Sequence, residues 1–152
     1  MRRIPLSALI GMILTGGFLF CAIFAEWVAP YGYDEVLGKV WESPSSTYLL
    51  GTDTIGRDIL SRLIYGARIT IFVALAASIL SFSLGSFLGF LAAVRGGWID
   101  QVLSRLVDVV MSVPSLIIAL VLLSVLDINL TVLIFVIGIL DATRVFRLSR
   151  AV

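Results

Sequence analysis

The sequence predicts an all-α, polytopic membrane protein with about four transmembrane helices. The first observation is composition: of the 152 residues, 60% are hydrophobic and only 14% are charged, and the mean hydropathy is +1.11. A soluble domain carries about a quarter charged residues, because a small globule needs a largely polar surface. The second observation is that apolar residues form long runs, of about the 20 residues that a helix needs to cross a bilayer. The third is that arginines flank these runs.

The first apolar run extends from about residue 6 to residue 29 and predicts a transmembrane helix within residues 1–30. Arg2 and Arg3 precede the run, and Trp27 lies near its end, which is typical of interface residues. A cleaved signal peptide is the alternative, because it also begins with basic residues and an apolar stretch. The apolar core of a signal peptide is shorter, about 7–15 residues, and we therefore expect a retained helix.

Residues 31–68 form the longest polar stretch and are predicted to be an extracytoplasmic loop. The first half of this loop is rich in Pro, Gly and Ser, which favour irregular backbone. The second half places apolar residues at helical spacing, namely Ile59, Leu60, Leu63, Ile64 and Ala67. This pattern predicts a short amphipathic helix that lies in the membrane interface.

The polar residues just before and within this helix have predicted local contacts. Asp53 or Thr54 is expected to cap a helix. Arg57 and Arg62 are expected to pair with Asp58. Asp58 lies four residues before Arg62, and an acid that precedes a base at this spacing has the better orientation for a helical ion pair. On this interpretation the segment is structural.

The second predicted span covers about residues 69–94 and is almost free of charge. It contains Gly85 and Gly89, whose small-xxx-small spacing lets another helix approach closely. We expect this face of the span to be a helix-packing surface.

Three further segments follow the second span. Residues 99–110 are amphipathic, with apolar and polar residues on opposite faces. The third apolar run, about residues 109–126, carries Pro114 near its start, where proline opens or kinks a helix. A turn at Asp127 leads to the fourth run, residues 130–140, which meets a series of arginines.

The positions of Lys and Arg predict the orientation, because these residues concentrate in cytoplasmic segments. With a cytoplasmic N-terminus, the inside segments hold seven of them: Arg2, Arg3, Arg95, Arg105, Arg144, Arg147 and Arg150. The outside loop holds four: Lys39, Arg57, Arg62 and Arg68. We therefore expect the N-terminus in the cytoplasm.

Several function classes are disfavoured by the composition. The net charge of +1 argues against nucleic-acid binding, which needs a dense basic patch. The absence of His and the single cysteine, Cys21, exclude histidine acid–base chemistry and Cys/His zinc sites. Gly51 and Gly56 follow no strand and lack the Lys-Ser/Thr end of a phosphate-binding loop. We expect no enzyme activity, metal or cofactor on this chain, so that ATP would be bound by other subunits.

Four motifs occur in order along the chain. The first lies in the outside loop and consists of Gly51, Thr52, Asp53, Gly56, Arg57, Asp58 and Arg62, followed by Gly66-Ala67-Arg68. The other three are Gly96-Gly97-Trp98-Ile99-Asp100 with Leu103-Ser104-Arg105-Leu106-Val107-Asp108, Ser112-Val113-Pro114-Ser115-Leu116, and Thr143-Arg144-Val145-Phe146-Arg147. Together they resemble the dipeptide/oligopeptide/nickel class of ABC importer permeases, and specifically the second of its two paired membrane subunits.

The resemblance implies that residues 69–152 are an incomplete ABC transmembrane type-1 domain in the cell inner membrane. It also implies three kinds of partner besides lipid: a second homologous permease, two ABC ATPase subunits that bind ATP, and an extracytoplasmic solute-binding protein that faces the outside loop. In this family a cytoplasmic loop after the fourth helix docks into the ATPase, and that loop lies beyond the last residue. We therefore expect an N-terminal portion that does not transport alone, because coupling requires an element that contacts the ATPase.

The resemblance implies a share in the translocation pathway for peptides or a similar small solute. Candidate pathway or packing residues are Gly85, Gly89, Ser112, Pro114 and Ser115. For the two glycines the alternative is plain helix packing, and for the two serines it is helix capping around the proline.

Two other functions remain open from the sequence. A stand-alone small membrane scaffold without transport activity would explain the short length. An ion-coupled secondary transporter would usually show buried ionisable residues and inverted repeats, and Asp141 is the one candidate. Its neighbour Arg144 offers an ion pair at the helix end instead.

Overall fold

The structure is a computed structural model that describes residues 5–126 and 129–151. Its helices, in chain order, are α1 (Leu6–Ile23), α2 (Ala25–Val28), α3 (Ile59–Arg95), α4 (Gly97–Ser112), α5 (Ser115–Val125) and α6 (Leu130–Arg150). In these described ranges, the only strand-like pairing is an isolated bridge between Thr52 and Asp58. The predicted all-α class is confirmed. Arg2, Arg3 and Asp127, which carried sequence predictions, lie outside the described residues.

Two helices are long and apolar enough to cross a membrane, α1 with a mean hydropathy of 2.2 and α3 with 2.1. A third span is present if α4 and α5, which meet at 85°, are counted as one broken span. By length and composition the described part of the chain therefore has two or three candidate spans, whereas the sequence predicts about four. The protein is polytopic by either count.

The predicted fourth span corresponds to α6, which is long enough but carries too many charges to qualify. The apolar first half of the helix is followed by Asp141, Arg144 and Arg147, so every stretch of 18 residues in it contains at least these three ionisable side chains. A charged residue costs about 2.5–3.5 kcal/mol at the centre of a membrane helix. The apolar run ends at residue 140, but the helix continues into the charged segment.

The predicted amphipathic helix and the second predicted span form a single helix in the structure. This helix, α3, has 37 residues, which corresponds to a length of about 55 Å. The boundary between these two predicted elements, near residue 68, is absent from the structure. The segment contains no proline, and Gly66 lowers helix propensity by only about 1 kcal/mol, which does not end a helix.

Two compact units divide the chain, one that ends at Phe72 and one that begins at Val73. The first unit contains α1, α2, the loop and the first part of α3. Nearly all side chains of α1 are exposed, as a helix that faces lipid requires. The carboxylate of Glu26 in α2 pairs with the guanidinium of Arg68 in α3 at 2.8 Å. This pair joins the two helices on either side of the loop.

The second unit contains the remainder of α3 with α4, α5 and α6. The buried residues of α3 in this unit are small and recur at intervals of three or four: Ala77, Ser81, Gly85, Gly89 and Ala92. The buried residues of α6 are Val136, Gly138, Leu140, Ala142 and Phe146. Small residues on a membrane helix allow close helix–helix packing, and these two faces form the core of the unit.

Candidate functional site

The carboxylate of Asp53 organises the loop before α3. Its Oδ1 accepts hydrogen bonds from the backbone N–H groups of Ile55 at 2.8 Å and Arg57 at 3.0 Å. Its Oδ2 accepts from Nε of Arg57 at 2.9 Å and from the guanidinium of Arg62. The side chain of Asp53 therefore connects the turn at residues 53–57 to the first turn of α3, where Arg62 lies.

These hydrogen bonds hold the pKa of the Asp53 carboxyl below its usual range. The largest cause is the backbone N–H of Arg57, and the backbone N–H of Ile55 and the Arg57 guanidinium add to it, against the opposing effect of burial. Each of these donors favours the ionised carboxylate. A carboxyl whose pKa is depressed by folding stabilises the fold above the pKa of the unfolded state, and that contribution is lost as the pH falls.

The arginine pairs differ from the sequence prediction. Arg57 and Arg62 are predicted to pair with Asp58, but both bind Asp53 in the structure, so this prediction is wrong. Asp58 is only 2% exposed, and its carboxylate turns towards Ser61. Helical spacing alone could not identify the true acid, because Arg62 meets Asp53 only through the turn that precedes the helix.

Asp58 caps the N-terminus of α3. Its Oδ2 accepts hydrogen bonds from the N–H of Ser61 at 2.8 Å and from the hydroxyl of Ser61 at 2.7 Å, as an N-cap aspartate typically does. The Ser61 hydroxyl oxygen also accepts the N–H of Tyr31 at 3.1 Å. The prediction that Asp53 or Thr54 caps the helix is wrong. The signal for the true cap was the position of Asp58 directly before Ile59, the first residue of the apolar helical spacing.

Gly51 and Gly56 occupy positions where a side chain does not fit. Their φ angles are 78° and 86°, in the left-handed region that favours glycine. A Cβ atom at Gly51 would collide with the backbone oxygen of Glu42, and one at Gly56 would collide with that of Gly38. The two glycines therefore allow the early part of the loop to lie directly against the motif.

The hydroxyl of Thr52 holds a tight turn at residues 39–42. It accepts a hydrogen bond from the N–H of Glu42 at 2.8 Å and donates one to the carbonyl of Lys39, so that it bridges the two ends of the turn. The Glu42 carboxylate also accepts the N–H of Lys39 at 3.2 Å. Thr52 is 1% exposed, and its hydroxyl is thus fully used in fixing this turn.

The polar residues of the loop form structural contacts. In the described part of the chain there is no group of three or more His, Cys, Asp or Glu side chains that could hold a metal ion. The carboxylates of Asp53 and Asp58 are engaged by N–H and O–H donors, although the second oxygen of Asp58 is buried without a hydrogen-bond partner among the described residues. The arrangement is suited to presenting a rigid surface.

In the second unit, Gly85 and Gly89 bring α3 against the backbone of α6. A Cβ atom at Gly85 would lie 2.6 Å from the carbonyl oxygen of Ala142. A Cβ atom at Gly89 would lie 2.8 Å from the carbonyl oxygen of Phe146. Real side chains essentially never make contacts this short, so neither position has room for a larger residue at the present helix separation.

Further residues, which the sequence does not indicate, take part in the same contact. A Cβ atom at Gly138 of α6 would lie 2.6 Å from the side chain of Leu80 in α3. The hydroxyl oxygens of Ser149 and Ser86 lie 3.4 Å apart across the two helices. Gly138 lies in a uniformly apolar run, and the spacing of that run does not indicate which face meets a neighbour.

Val113 and Pro114 interrupt the helix between α4 and α5. Pro114 lacks a backbone N–H and has φ −53° and ψ 126°, so the helix cannot continue through it. The Ser112 hydroxyl donates a hydrogen bond to the carbonyl of Val109 at 2.7 Å. Ser115 is the first residue of α5. The predicted interruption of the third apolar run by proline is present in the structure as an 85° bend.

An open cavity of about 330 Å³ lies beside this bend. Pro114 and Ser115 line it from one side, and Thr143 and Arg144 of α6 line it from the other. Ser112, the third predicted pathway residue of this region, is not among the lining residues. The lining of the cavity therefore includes the start of α5 at Ser115, the Thr143 side chain and the Arg144 side chain.

Ion pairs connect the polar face of α4 to the last turns of α6. Asp108 pairs with Arg147 at 2.7 Å. Asp100 accepts a hydrogen bond from the guanidinium of Arg150 at 2.7 Å. The partners are 22–53% exposed, so each pair is worth little in stability, but together they fix which face of α4 lies beside α6.

Asp141, the candidate for ion coupling, has a local partner. Its carboxylate accepts a hydrogen bond from the guanidinium of Arg144 at 3.2 Å. Both side chains are about half exposed. This geometry favours a role for Asp141 in an exposed ion pair with Arg144 over a role as a buried acid that couples ion movement.

Comparison with protein families gives a match in each unit of the chain. Residues 85–151 match the family described as binding-protein-dependent transport system inner membrane component. Residues 7–44 match the family described as N-terminal TM domain of oligopeptide transport permease C.

Individual relatives are similar over almost the whole chain. The dipeptide transport system permease protein of Haemophilus influenzae is 36% identical over 152 residues, which cover 95% of this chain and 52% of the relative. The oligopeptide transport system permease protein of Bacillus subtilis is 34% identical over 144 residues, which cover 94% of this chain and 47% of the relative. The chain spans about half the length of the curated relatives it matches.

Proposed function

We propose that the chain belongs to the family of binding-protein-dependent transport system inner membrane components and is a permease subunit of an ABC importer, because residues 7–44 and 85–151 match the two families of membrane components described above. In this role it forms part of the translocation pathway for peptides or a similar small solute that a binding protein delivers. The observation that carries the proposal is the occurrence of both family matches, residues 7–44 and 85–151, on one chain. The relatives' names, dipeptide and oligopeptide permease, support the substrate class.

The pathway is proposed to pass beside the bend at Pro114. Broken membrane helices expose backbone groups that bind polar or charged solutes in many transporters. The open cavity of about 330 Å³ at the bend, with Ser115, Thr143 and Arg144 in its lining, supports this position. Ser112 is proposed to act in helix capping, because its hydroxyl already donates to the carbonyl of Val109.

Gly85 and Gly89 are proposed to act in helix packing. The short distances from a Cβ atom at each position to the backbone of α6 support this role. A residue that lines a pathway needs free space beside it, and neither glycine has it in the described part of the chain. The same reasoning extends to Gly138, which lies against Leu80.

The proposed partners follow from the family rather than from any site on this chain. They are a second homologous permease, two ABC ATPases that bind ATP, and a solute-binding protein. ATP hydrolysis is proposed to take place on the ATPases, and this chain is proposed to have no enzymatic activity of its own.

The chain is proposed to lie in the cell inner membrane with its N-terminus in the cytoplasm. The distribution of Lys and Arg in the sequence supports this orientation. The pairing of Asp100 with Arg150 and of Asp108 with Arg147 is consistent with it, because the charge distribution assigns both segments to the same side.

The test is uptake of a radiolabelled dipeptide by proteoliposomes into which this permease has been reconstituted. The neighbouring permease, the ATPases and the binding protein encoded with it are included. We expect ATP-dependent accumulation that requires this chain, and an ATPase variant that cannot hydrolyse ATP serves as the control. Accumulation that is equally fast without this chain would contradict the proposal and favour the scaffold function.

A further inference from the structure

One turn of the loop displays two exposed apolar side chains, Val40 and Trp41, and Trp41 has an unfavourable backbone conformation. Among the described residues, Trp41 is the only residue other than glycine with a positive φ, 56°. Bulky residues rarely adopt this region, and such outliers concentrate at functional positions. Val40 is 57% exposed and Trp41 is 70% exposed. Burial of the indole within this chain therefore does not compensate for the conformation.

The turn is held in place by the buried residues of the loop motif. The N–H of Trp41 donates a hydrogen bond to the carbonyl of Asp53 at 3.2 Å. The Thr52 hydroxyl bridges Lys39 and Glu42 on either side of it. Thr52 and Asp53 are 1% and 8% exposed. The buried Thr52 and Asp53 thus hold the turn in place, and the side chains of Val40 and Trp41 are exposed on its surface.

The charge of the loop indicates what kind of surface it meets. The exposed charged side chains of residues 30–58 are three acidic and one basic: Asp34, Glu35 and Glu42 against Lys39. Anionic lipid surfaces attract basic segments, so this loop is unsuited to lipid headgroups. Tryptophan is enriched among the residues that dominate protein–protein binding, and a turn fixed before binding loses less entropy on association.

We propose that Val40 and Trp41 are the anchor by which this loop docks the solute-binding protein, with the Trp41 indole entering an apolar cleft of that partner. The inference rests on the proposed importer function, which supplies a soluble partner on the same side of the membrane as the loop. It goes further by naming the contact and its chemistry. The buried motif residues are positioning residues for this contact and do not touch the partner themselves.

The variant Trp41→Gly separates the indole from the shape of the turn. Glycine accepts a positive φ without strain, so we expect the thermal unfolding temperature of the complete importer to stay the same or rise. The probe is the binding protein encoded with the permease, loaded with its solute. We expect the binding-protein concentration for half-maximal uptake to increase at least tenfold.

Leu49→Ala is the matched control, because Leu49 is 61% exposed in the same loop but lies outside the turn. We expect its half-maximal concentration to stay within twofold of the wild type. A wild-type importer that the binding protein does not stimulate would contradict the proposed function. Stimulation with equal half-maximal concentrations for wild type and Trp41→Gly would contradict the anchor and leave the importer function intact.

A second measurement identifies directly the molecule that contacts Trp41. Replacement of Trp41 by the photoreactive p-benzoylphenylalanine, in the complete importer with its binding protein, should give a covalent adduct with the binding protein on illumination. Placed at position 49, the same amino acid should give little of this adduct. Adducts formed only with lipid, or only with the second permease, would overturn the proposal.

Discussion

The loop before α3 and the contact between α3 and α6 are stabilised in different ways. In the loop, buried polar groups of Thr52 and Asp53 meet hydrogen-bond donors and acceptors. In the helix contact, Gly85 and Gly89 simply leave room for the backbone of α6. Directional hydrogen bonds can fix an irregular shape, whereas helices in lipid associate through close packing of small residues. The loop should therefore respond to pH and to the loss of single polar groups, and the helix contact should respond to volume.

The largest effect is expected from added volume at Gly85. The variant Gly85→Leu forces a side chain against the carbonyl of Ala142, which a Cβ atom alone would approach to 2.6 Å. Overpacking costs about 1–3 kcal/mol and occasionally more, and we expect about 3 kcal/mol here because the obstructing atom belongs to the backbone. The measurement is unfolding of the purified protein in mixed detergent micelles.

Gly66→Ala on the same helix is the control for this variant. Nothing lies within 4 Å of a Cβ atom at Gly66, and alanine is the better helix former by about 1 kcal/mol. We expect equal or greater stability for this variant. If Gly85→Leu were as stable as Gly66→Ala, α3 and α6 would not be in the contact described.

The next effect in size is expected from Thr52→Val in the loop. Valine has nearly the same shape but leaves the N–H of Glu42 and the carbonyl of Lys39 without the hydroxyl that joins them. An unsatisfied buried polar group costs about 1–3 kcal/mol, and we expect faster hydrogen exchange at residues 39–42. Thr54→Val, at an exposed position, should leave the exchange unchanged. Equal protection in the two variants would show that the turn does not depend on this hydroxyl.

A smaller, pH-dependent effect is expected from Asp53→Asn. The depressed pKa of Asp53 means that its ionised form stabilises the loop above the ordinary pKa of Asp, about 3.9, and that this contribution is lost as the pH falls through and below that value. With a protease that is active at each pH tested, the wild-type loop should become sensitive to cleavage on acidification, whereas the variant should be sensitive already at neutral pH.

The control for this experiment is Asp34→Asn, which removes an exposed carboxylate of the same loop. This variant should keep the wild-type pH profile. A wild-type loop whose protease sensitivity does not change with pH, or a variant that matches the wild type at neutral pH, would count against the role of the ionised carboxylate.

The smallest effect is expected from the ion pair between Asp108 and Arg147. Both side chains are about half exposed, and exposed pairs contribute about 0.2–1 kcal/mol. Asp108→Arg alone should destabilise the second unit slightly, and the double variant with Arg147→Asp should recover most of the loss. A double variant that is less stable than either single variant would mean that the two residues are not partners.

The sequence predicted features that depend on composition and on strong local signals. The apolar run of α1 and the break at Pro114 are present because bilayer length and the missing proline N–H act locally. The loop contacts were predicted less well, since Arg62 reaches Asp53 only when the backbone between them has turned. Helical spacing pointed to Asp58, which is instead committed to Ser61.

Helix boundaries were also difficult to predict, for a physical reason. In α3 the change from an amphipathic to an apolar pattern marks a change of surroundings, and a helix continues through such a change unless a breaker stops it. In the second unit, Gly138 could not be assigned to a contact face from an apolar run. Such contacts depend on how whole helices are arranged, and local patterns do not encode this.

The most direct measurement is a disulfide cross-link between α3 and α6 in the membrane-embedded, complete importer. Ser86 and Ser149 have hydroxyl oxygens 3.4 Å apart, so Ser86→Cys combined with Ser149→Cys, in a Cys21→Ala background, should form a bond on mild oxidation and become inaccessible to maleimide. Ser83→Cys, at an exposed position of α3, combined with Ser149→Cys should stay reactive. If both cysteines of the first pair remained fully labelled after oxidation, the close-packed helix pair would be contradicted.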